Sequence, residues 1–303
     1  MKFNQKNLFI AAFILMLLLP LIFSDKAGGE VSKRENRILA KFPVLSFRSG
    51  SFSEFRDGFE DWINDNAGFR SASQKIKANL DYKLLRSSSS ESVFLGADGW
   101  FFITYDHNLD IAAGTYPMTA AMLEEIRKSQ LKIQREFKRQ GIDYVICLVP
   151  SKASIYPEFI GDENYDARET VIDIVSEMLR MSTTVPVINL KPALLSAKEN
   201  AQVFYKTDTH WNDAGAYQGY RSLIKELNRL GYLDSAPIEI KTRDATHLGD
   251  MSTLMGDEKL LPPEDFKQTI IFDPNAREIL SGATYSKLSA IREENQLPTI
   301  SNR

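Results

Sequence analysis

The chain has 303 residues, 43% hydrophobic and 25% charged, with a formal net charge of −3. That length holds one large domain or two modest ones around a real core, and the charge excludes the strong basic excess of a nucleic-acid binder. The single cysteine, Cys147, excludes an intrachain disulfide.

Lys2 and Lys6 precede an unbroken apolar run from Leu8 to Phe23. A basic start followed by an apolar stretch is an export signal. Leu21-Ile22-Phe23-Ser24-Asp25 lacks the small residues that signal peptidase prefers. The expectation is an uncleaved anchor in the cytoplasmic membrane, with the lysines inside and a periplasmic or extracytoplasmic body. The run is slightly short for a full span, so a removed signal peptide is the alternative. Polar residues 25–30 read as a tether, giving residues 1–30 as anchor and tether and 31–303 as the folded domain.

Folded material is expected from Leu39, Phe42 and Pro43, with Arg37 in a structural ion pair beside Glu35. From Ser53 to about Leu85 the spacing of Phe55, Phe59, Trp62 and Ile63 predicts a helix. Ser87 to Ser90 reads as an exposed turn. Val93–Leu95 and Gly99–Ile103 predict two short strands around Ala97-Asp98. Trp100, Phe101 and Phe102 are read as core residues before sugar platforms. Thr119 caps a long helix that stops at Gly141. Tyr144–Val149 reads as a strand buried on both faces, with Cys147 a small hydrophobe inside it. A helix over about 167–181, a strand over 185–190, a helix over about 213–230 and a strand at Thr269–Phe272 complete the series. Such alternation predicts a parallel sheet layered between helices.

The segment Phe204-Tyr205-Lys206-Thr207-Asp208-Thr209-His210-Trp211-Asn212-Asp213 is the most informative. In an extended chain residues i and i+2 share a face, so Asp208 can accept from one imidazole nitrogen of His210. That fixes the tautomer and leaves the other nitrogen as a general base, able to take a serine proton in acyl transfer. Trp211 is placed to wall the site from water. Asn212 or Asp213 caps the next helix, and Gly215-Ala216 lets that helix pack closely. The spacing alone equally fits a surface aspartate beside an unrelated histidine. Three histidines, His107, His210 and His247, with no Cys or Glu at ligand spacing, argue against a zinc site, and His107 beside Asp106 is read as a loop residue. Lys152 is read as a ligand for an acidic sugar or a donor to a backbone carbonyl, with a plain surface lysine as the alternative. Tyr217 and Tyr220 are taken as packing residues.

Lys206 to Tyr217 closely resembles the Asp-x-His-Trp box of the SGNH-hydrolase-like acetyltransferases of the alginate O-acetyltransferase type. Three further blocks resemble the family in the same order: Glu35-Asn36-Arg37-x-Leu39-Ala40-x-Phe42-Pro43, Gly96-x-Asp98-Gly99-Trp100-x-Phe102, and Val149-Pro150-x-Lys152 with Tyr156-Pro157-Glu158. The resemblance runs from about Arg34 to about Gly256. It implies a flavodoxin-like α/β/α fold and transfer of acetyl groups to polysaccharide hydroxyls through a Ser-His-Asp triad. Asp208 then orients and His210 acts as base, with Lys152 and Trp211 toward the substrate. The acetyl donor comes from a multi-pass membrane-bound O-acyltransferase partner, and no metal or nucleotide cofactor is required.

One departure matters. The family places its nucleophilic serine in a Gly-Asp-Ser-like turn after the box, and this sequence has no Gly-Asp-Ser. It also lacks the Gly-x-Ser-x-Gly elbow of other acyl-transfer enzymes. Either the sequence is a fragment cut before its nucleophile, which is the preferred reading, or it is a relative that binds glycan without turnover. Ser151 is a poor substitute, flanked by Pro150 and Lys152. The functional expectation is an exopolysaccharide O-acetyltransferase. The alternatives are a non-catalytic glycan-binding or assembly component, and an acetylesterase using the same triad.

Overall fold

The computed structural model describes residues 5–24, 28–32, 37–44, 51–161 and 169–271. Helix α1 (Gln5–Ile22) has no buried residue, and it is long and apolar enough to cross a membrane. Strands β1 (Val31–Ser32) and β2 (Arg37–Ile38) form a small antiparallel pair. Next to them lie α2 (Ser51–Asn66) and α3 (Arg70–Lys83). The helix expected over 53–85 is therefore two helices. The chain breaks at Ala67-Gly68-Phe69, where Phe69 takes a left-handed φ of 67° that no continuous helix accommodates. The aromatic face of α2 closes on Phe42, whose ring centroid lies 4.9 Å from Trp62 and 6.1 Å from Phe59. The Arg37 guanidinium donates to both oxygens of Asp65, at 2.7 and 2.5 Å, and holds that carboxyl down to about 2. Its sequence neighbour Glu35 lies outside the described residues.

Strands β3 (Val93–Leu95) and β4 (Phe101–Ile103) pair antiparallel. The short helix α4 (Asn108–Ala113) follows, then α5 (Ala120–Arg139). Thr119 caps α5 by accepting from the Met122 amide at 3.2 Å. Beyond it come β5 (Ile146–Leu148), α6 (Lys152–Ile155), α7 (Val171–Ser182) and β6 (Val187–Asn189), with β6 parallel to β5. Helices α8 (Lys191–Lys198) and α9 (Asp213–Arg229) flank the loop that carries Asp208 and His210. The described chain closes with β7 (Ile240–His247), α10 (Met251–Met255) and β8 (Glu264–Ile271).

Three expectations change. The strand foreseen at 269–272 falls, as far as Ile271, in the end of β8, and Phe272 lies outside the described residues. Strand β8 runs antiparallel to β7 over eight residue pairs, from Ile240↔Ile271 to His247↔Glu264, and does not join the parallel pair. Among the described residues the parallel sheet is β5 and β6 alone. Cys147 is consequently exposed, because a short strand with one strand neighbour turns alternate side chains to solvent. The serine run is also no free turn, since the Ser89 hydroxyl donates to the Met255 carbonyl of α10.

The hairpin β3–β4 organises the interior. Successive residues point to opposite faces of a strand. Trp100 and Phe102 enter a core with Ile155, Tyr156, Leu194 and Val203. Phe101 enters a second core with Ala78, Met251, Met255 and Leu261. The Phe101 amide donates to the Lys206 carbonyl at 3.0 Å, so the loop carrying the Asp-x-His box is fixed to the strand between the two cores.

Candidate active site

An antiparallel bridge between Phe204 and Trp211 pinches the loop at its base, reinforced by the Asn212 amide donating to the Val203 carbonyl at 3.1 Å. Asn212 caps α9 by accepting from the Gly215 amide at 3.0 Å. A Cβ at Gly215 would lie 2.0 Å from the Val203 carbonyl oxygen, so only glycine permits this close approach. Inside the pinch the chain is bent, not extended. The His210 amide donates to Asp208 Oδ1 at 2.9 Å, folding the backbone around the carboxylate. The same oxygen lies 2.6 Å from His210 Nδ1. A carboxylate only accepts, so Nδ1 carries the proton and Nε2 is the free nitrogen of the neutral ring.

The second oxygen of Asp208 is served from far along the chain. His247 Nε2 donates to Oδ2 at 2.7 Å and the Asp250 amide donates to it at 3.1 Å. The His247 ring stacks on Tyr205, with centroids 3.9 Å apart. Burial pushes the Asp208 carboxyl up, but the donors from the His210 backbone, His247, the His210 ring and the Asp250 backbone outweigh it and hold the group below the ordinary carboxylate value. The Asp208 side chain is 7% exposed and that of His210 74% exposed. An anchored acid thus sits beneath an accessible imidazole.

Two buried or half-buried ions hold the loop itself. Lys152 Nζ donates to the carbonyls of Tyr205, Lys206 and Asp208 at 3.2, 3.0 and 2.7 Å. All three ammonium hydrogens are committed to backbone. Of the sequence readings of Lys152, the geometry matches the carbonyl donor; burial excludes a plain surface lysine, and no hydrogen is left for a substrate. Burial lowers its pKa to about 7, while the charges of Glu264, Asp250 and Asp208 act to raise it. Glu264, at the start of β8, accepts from the amides of Lys206 and Thr207, each at 2.9 Å, and from the Thr207 hydroxyl at 2.6 Å. A cation takes the loop's carbonyls and an anion its amides. Asp250 adds a third tie, accepting from the Thr209 amide at 2.9 Å and hydroxyl at 2.6 Å. The turn carrying Asp250 reaches the loop through Gly249, where a Cβ would stand 1.9 Å from the Thr207 carbonyl oxygen.

His210 opens onto a cavity of about 300 Å³ lined in part by Phe102, Asn108, Ser151, Lys152 and Trp211. Trp211 is half-buried, with its ring against Gly219 of α9 and one side on the cavity. Ser151 lines the same cavity, but its hydroxyl caps α6, accepting from the Ser154 amide at 3.3 Å and meeting the Ser154 hydroxyl at 3.1 Å. Among the described residues no serine hydroxyl is hydrogen-bonded to His210. Donor atoms of Asp208, His210 and Asp250 lie within 4.8 Å of one another, a set with the residue types of a cation site. Four N–H donors already fill the Asp208 lone pairs, which fits a hydrogen-bond relay better than ligation.

Residues 93–278, more than half the chain, match the SGNH hydrolase-like domain of the acetyltransferase AlgX. The chain belongs to that family. Its fold is accordingly the SGNH-like α/β fold. Among curated relatives, the probable alginate O-acetylase AlgJ of Pseudomonas aeruginosa is 31% identical over 201 residues, covering 63% of this chain and 49% of that protein. The AlgJ of Pseudomonas syringae pv. tomato is 27% identical over 288 residues, covering 92% and 68%. The chain thus spans about half the length of the first relative. Among solved structures, the O-acetyltransferase domain of Pseudomonas putida AlgJ aligns over 60% of this chain and 66% of that one, with 26% identity and a TM-score of 0.44.

The fold brings Lys152, His210 and Trp211 to one cavity, with Asp208 buried beneath the His210 ring. Sequence reasoning missed His247, Asp250 and Glu264. The local hint for His247 is the β-branched pattern of Ile240, Thr242 and Thr246 that marks β7.

Proposed function

We propose that this protein is an extracytoplasmic O-acetyltransferase of an alginate-like exported polysaccharide, with Asp208 and His210 as its acid–base pair. The observation that carries the reading is the accessible His210 ring held by a buried carboxylate beside a cavity. Its Nε2 takes the proton of a serine hydroxyl as that oxygen attacks the acetyl carbonyl. Asp208 stabilises the imidazolium that results, and the proton then passes to the leaving group. His247 and Asp250 keep the carboxylate aimed during this cycle. The names of the AlgJ relatives support the substrate class and the acetyl chemistry.

The apolar helix near the N-terminus supports a membrane anchor, with residues 1–30 as anchor and tether and 31–303 as the SGNH-hydrolase-like domain. A membrane-bound O-acyltransferase supplies the acetyl group in this scheme. The test is the acetyl content of the exported polysaccharide, read by NMR, in cells whose native gene carries His210→Ala. Acetylation falls to background on this reading. Unchanged acetylation with the variant protein present at normal level overturns it.

A second reading is glycan binding without turnover. It is favoured by one observation, that no described serine is hydrogen-bonded to His210. It requires polymer binding by the full protein to survive in a His210→Ala variant whose cells still acetylate their polysaccharide.

A further inference from the structure

Helix α3 is apolar on the wrong side. Its inward face carries Ala78 and Tyr82, which join the second core. About 3.6 residues make a turn, so Ile76 and Leu80 lie opposite Ala78, with Phe69 and Leu84 continuing their line at the two ends of the helix. These four side chains are between 49% and 72% exposed. A surface helix of a soluble domain normally places charged and polar groups there. A contiguous exposed apolar stripe marks an interaction site.

Two observations say what covers it. Residues 69–86 hold five cations, Arg70, Lys75, Lys77, Lys83 and Arg86, against the single anion Asp81, in a chain whose net charge is −3. The N-terminal end of α3 also sits directly at the exit of α1. The Gly68 amide donates to the Pro20 carbonyl at 2.7 Å, and the rings of Phe23 and Phe69 lie 5.2 Å apart. If α1 crosses a bilayer, its exit lies at the headgroup level, and Phe69 lies there with it.

We infer that α3 is an interfacial helix that seats Phe69, Ile76, Leu80 and Leu84 among lipid headgroups, with its net positive charge toward anionic lipid; Lys77 is taken up by Asp81. Apolar area and basic charge act together in such binding to an anionic surface. A second contact through α3 fixes which way the cavity faces relative to the membrane.

The inference rests on the anchor reading of α1, and the test separates the two. Full-length protein carrying Cys147→Ser and either Ile76→Cys or Leu80→Cys is spin-labelled and reconstituted in phosphatidylglycerol-containing vesicles. A Lys128→Cys label on α5 serves as the water-facing control. Flotation with the vesicles reads α1. The ratio of oxygen to nickel-chelate accessibility reads α3. The expected result is flotation, with ratios at 76 and 80 several-fold above that at 128, falling when the vesicles are phosphatidylcholine alone. Flotation with ratios equal to the control overturns the α3 contact and leaves the anchor standing. Shielding from both reagents means that protein covers the stripe, which also overturns it. Failure to float overturns the anchor and the inference together.

Discussion

The two oxygens of Asp208 are held by very different stretches of chain. Oδ1 is served locally by the amide and ring of His210, two residues away. Oδ2 is served by His247 and Asp250, at separations of 39 and 42 residues, through the end of β7 and the turn into α10. The local half can form in any tight bend that brackets the box. The distant half exists only after β7 has zipped onto β8 and Gly249 has let the turn close on Thr207. The comparison teaches that the residue pair supplying the chemistry is written in one short segment, while the rigidity that makes the pair useful is assembled from remote ones.

Replacing the shared residue breaks both halves. Asp208→Asn keeps the shape but offers a poorer acceptor, and the acetyl-transfer rate should fall about 10⁴-fold, as wrong-tautomer variants of such relays do. The same variant sharpens the electrostatics. Asp208 is held below its ordinary value when folded, so it stabilises the fold above about pH 3.9, and that contribution is lost as pH falls further. Urea midpoints measured from pH 6 down to pH 3 should therefore fall more steeply for the wild type than for the asparagine variant. Parallel curves would mean that the four donors do not hold the carboxylate.

Breaking only the distant half should cost less. His247→Ala removes one charge-assisted hydrogen bond of about 1.5–3 kcal/mol, a rate loss of roughly 10–100-fold. His247→Gln, which retains an N–H donor of similar reach, should recover much of it. Equal rates for the wild type and the alanine variant would reduce His247 to a packing residue. The smallest effect on chemistry belongs to the cradle. Lys152→Met strands three carbonyls and should lower stability by about 3 kcal/mol, read as a shift in the denaturation midpoint. The polysaccharide KM should stay near the wild-type value, because the ammonium faces backbone. A large KM rise with an unchanged midpoint would return Lys152 to the substrate.

Much of this was legible along the chain wherever the signal was local. Thr119, Gly141 and Asn212 mark helix ends through short-range hydrogen bonds and backbone preferences, and the structure uses all three. The hairpin was equally plain: the turn expected at Ala97-Asp98 is there, one residue longer, with Asp98 and Gly99 both at positive φ and the second strand starting at Phe101. The break at Gly68-Phe69 was hidden by an apolar rhythm that continues across it. β7 was invisible because its side chains alternate weakly between two half-exposed faces.

Residues within a few positions of one another were enough to give the family, the alternation of helices and strands between residues 119 and 230, and the adjacency of Asp208 and His210. Only the tertiary structure decided that Lys152 faces carbonyls, that β8 runs antiparallel beside β7, and that a second imidazole completes the Asp208 shell. Those outcomes depend on how buried polar groups far apart in sequence satisfy one another once water is excluded, and no periodicity in the chain encodes that pairing.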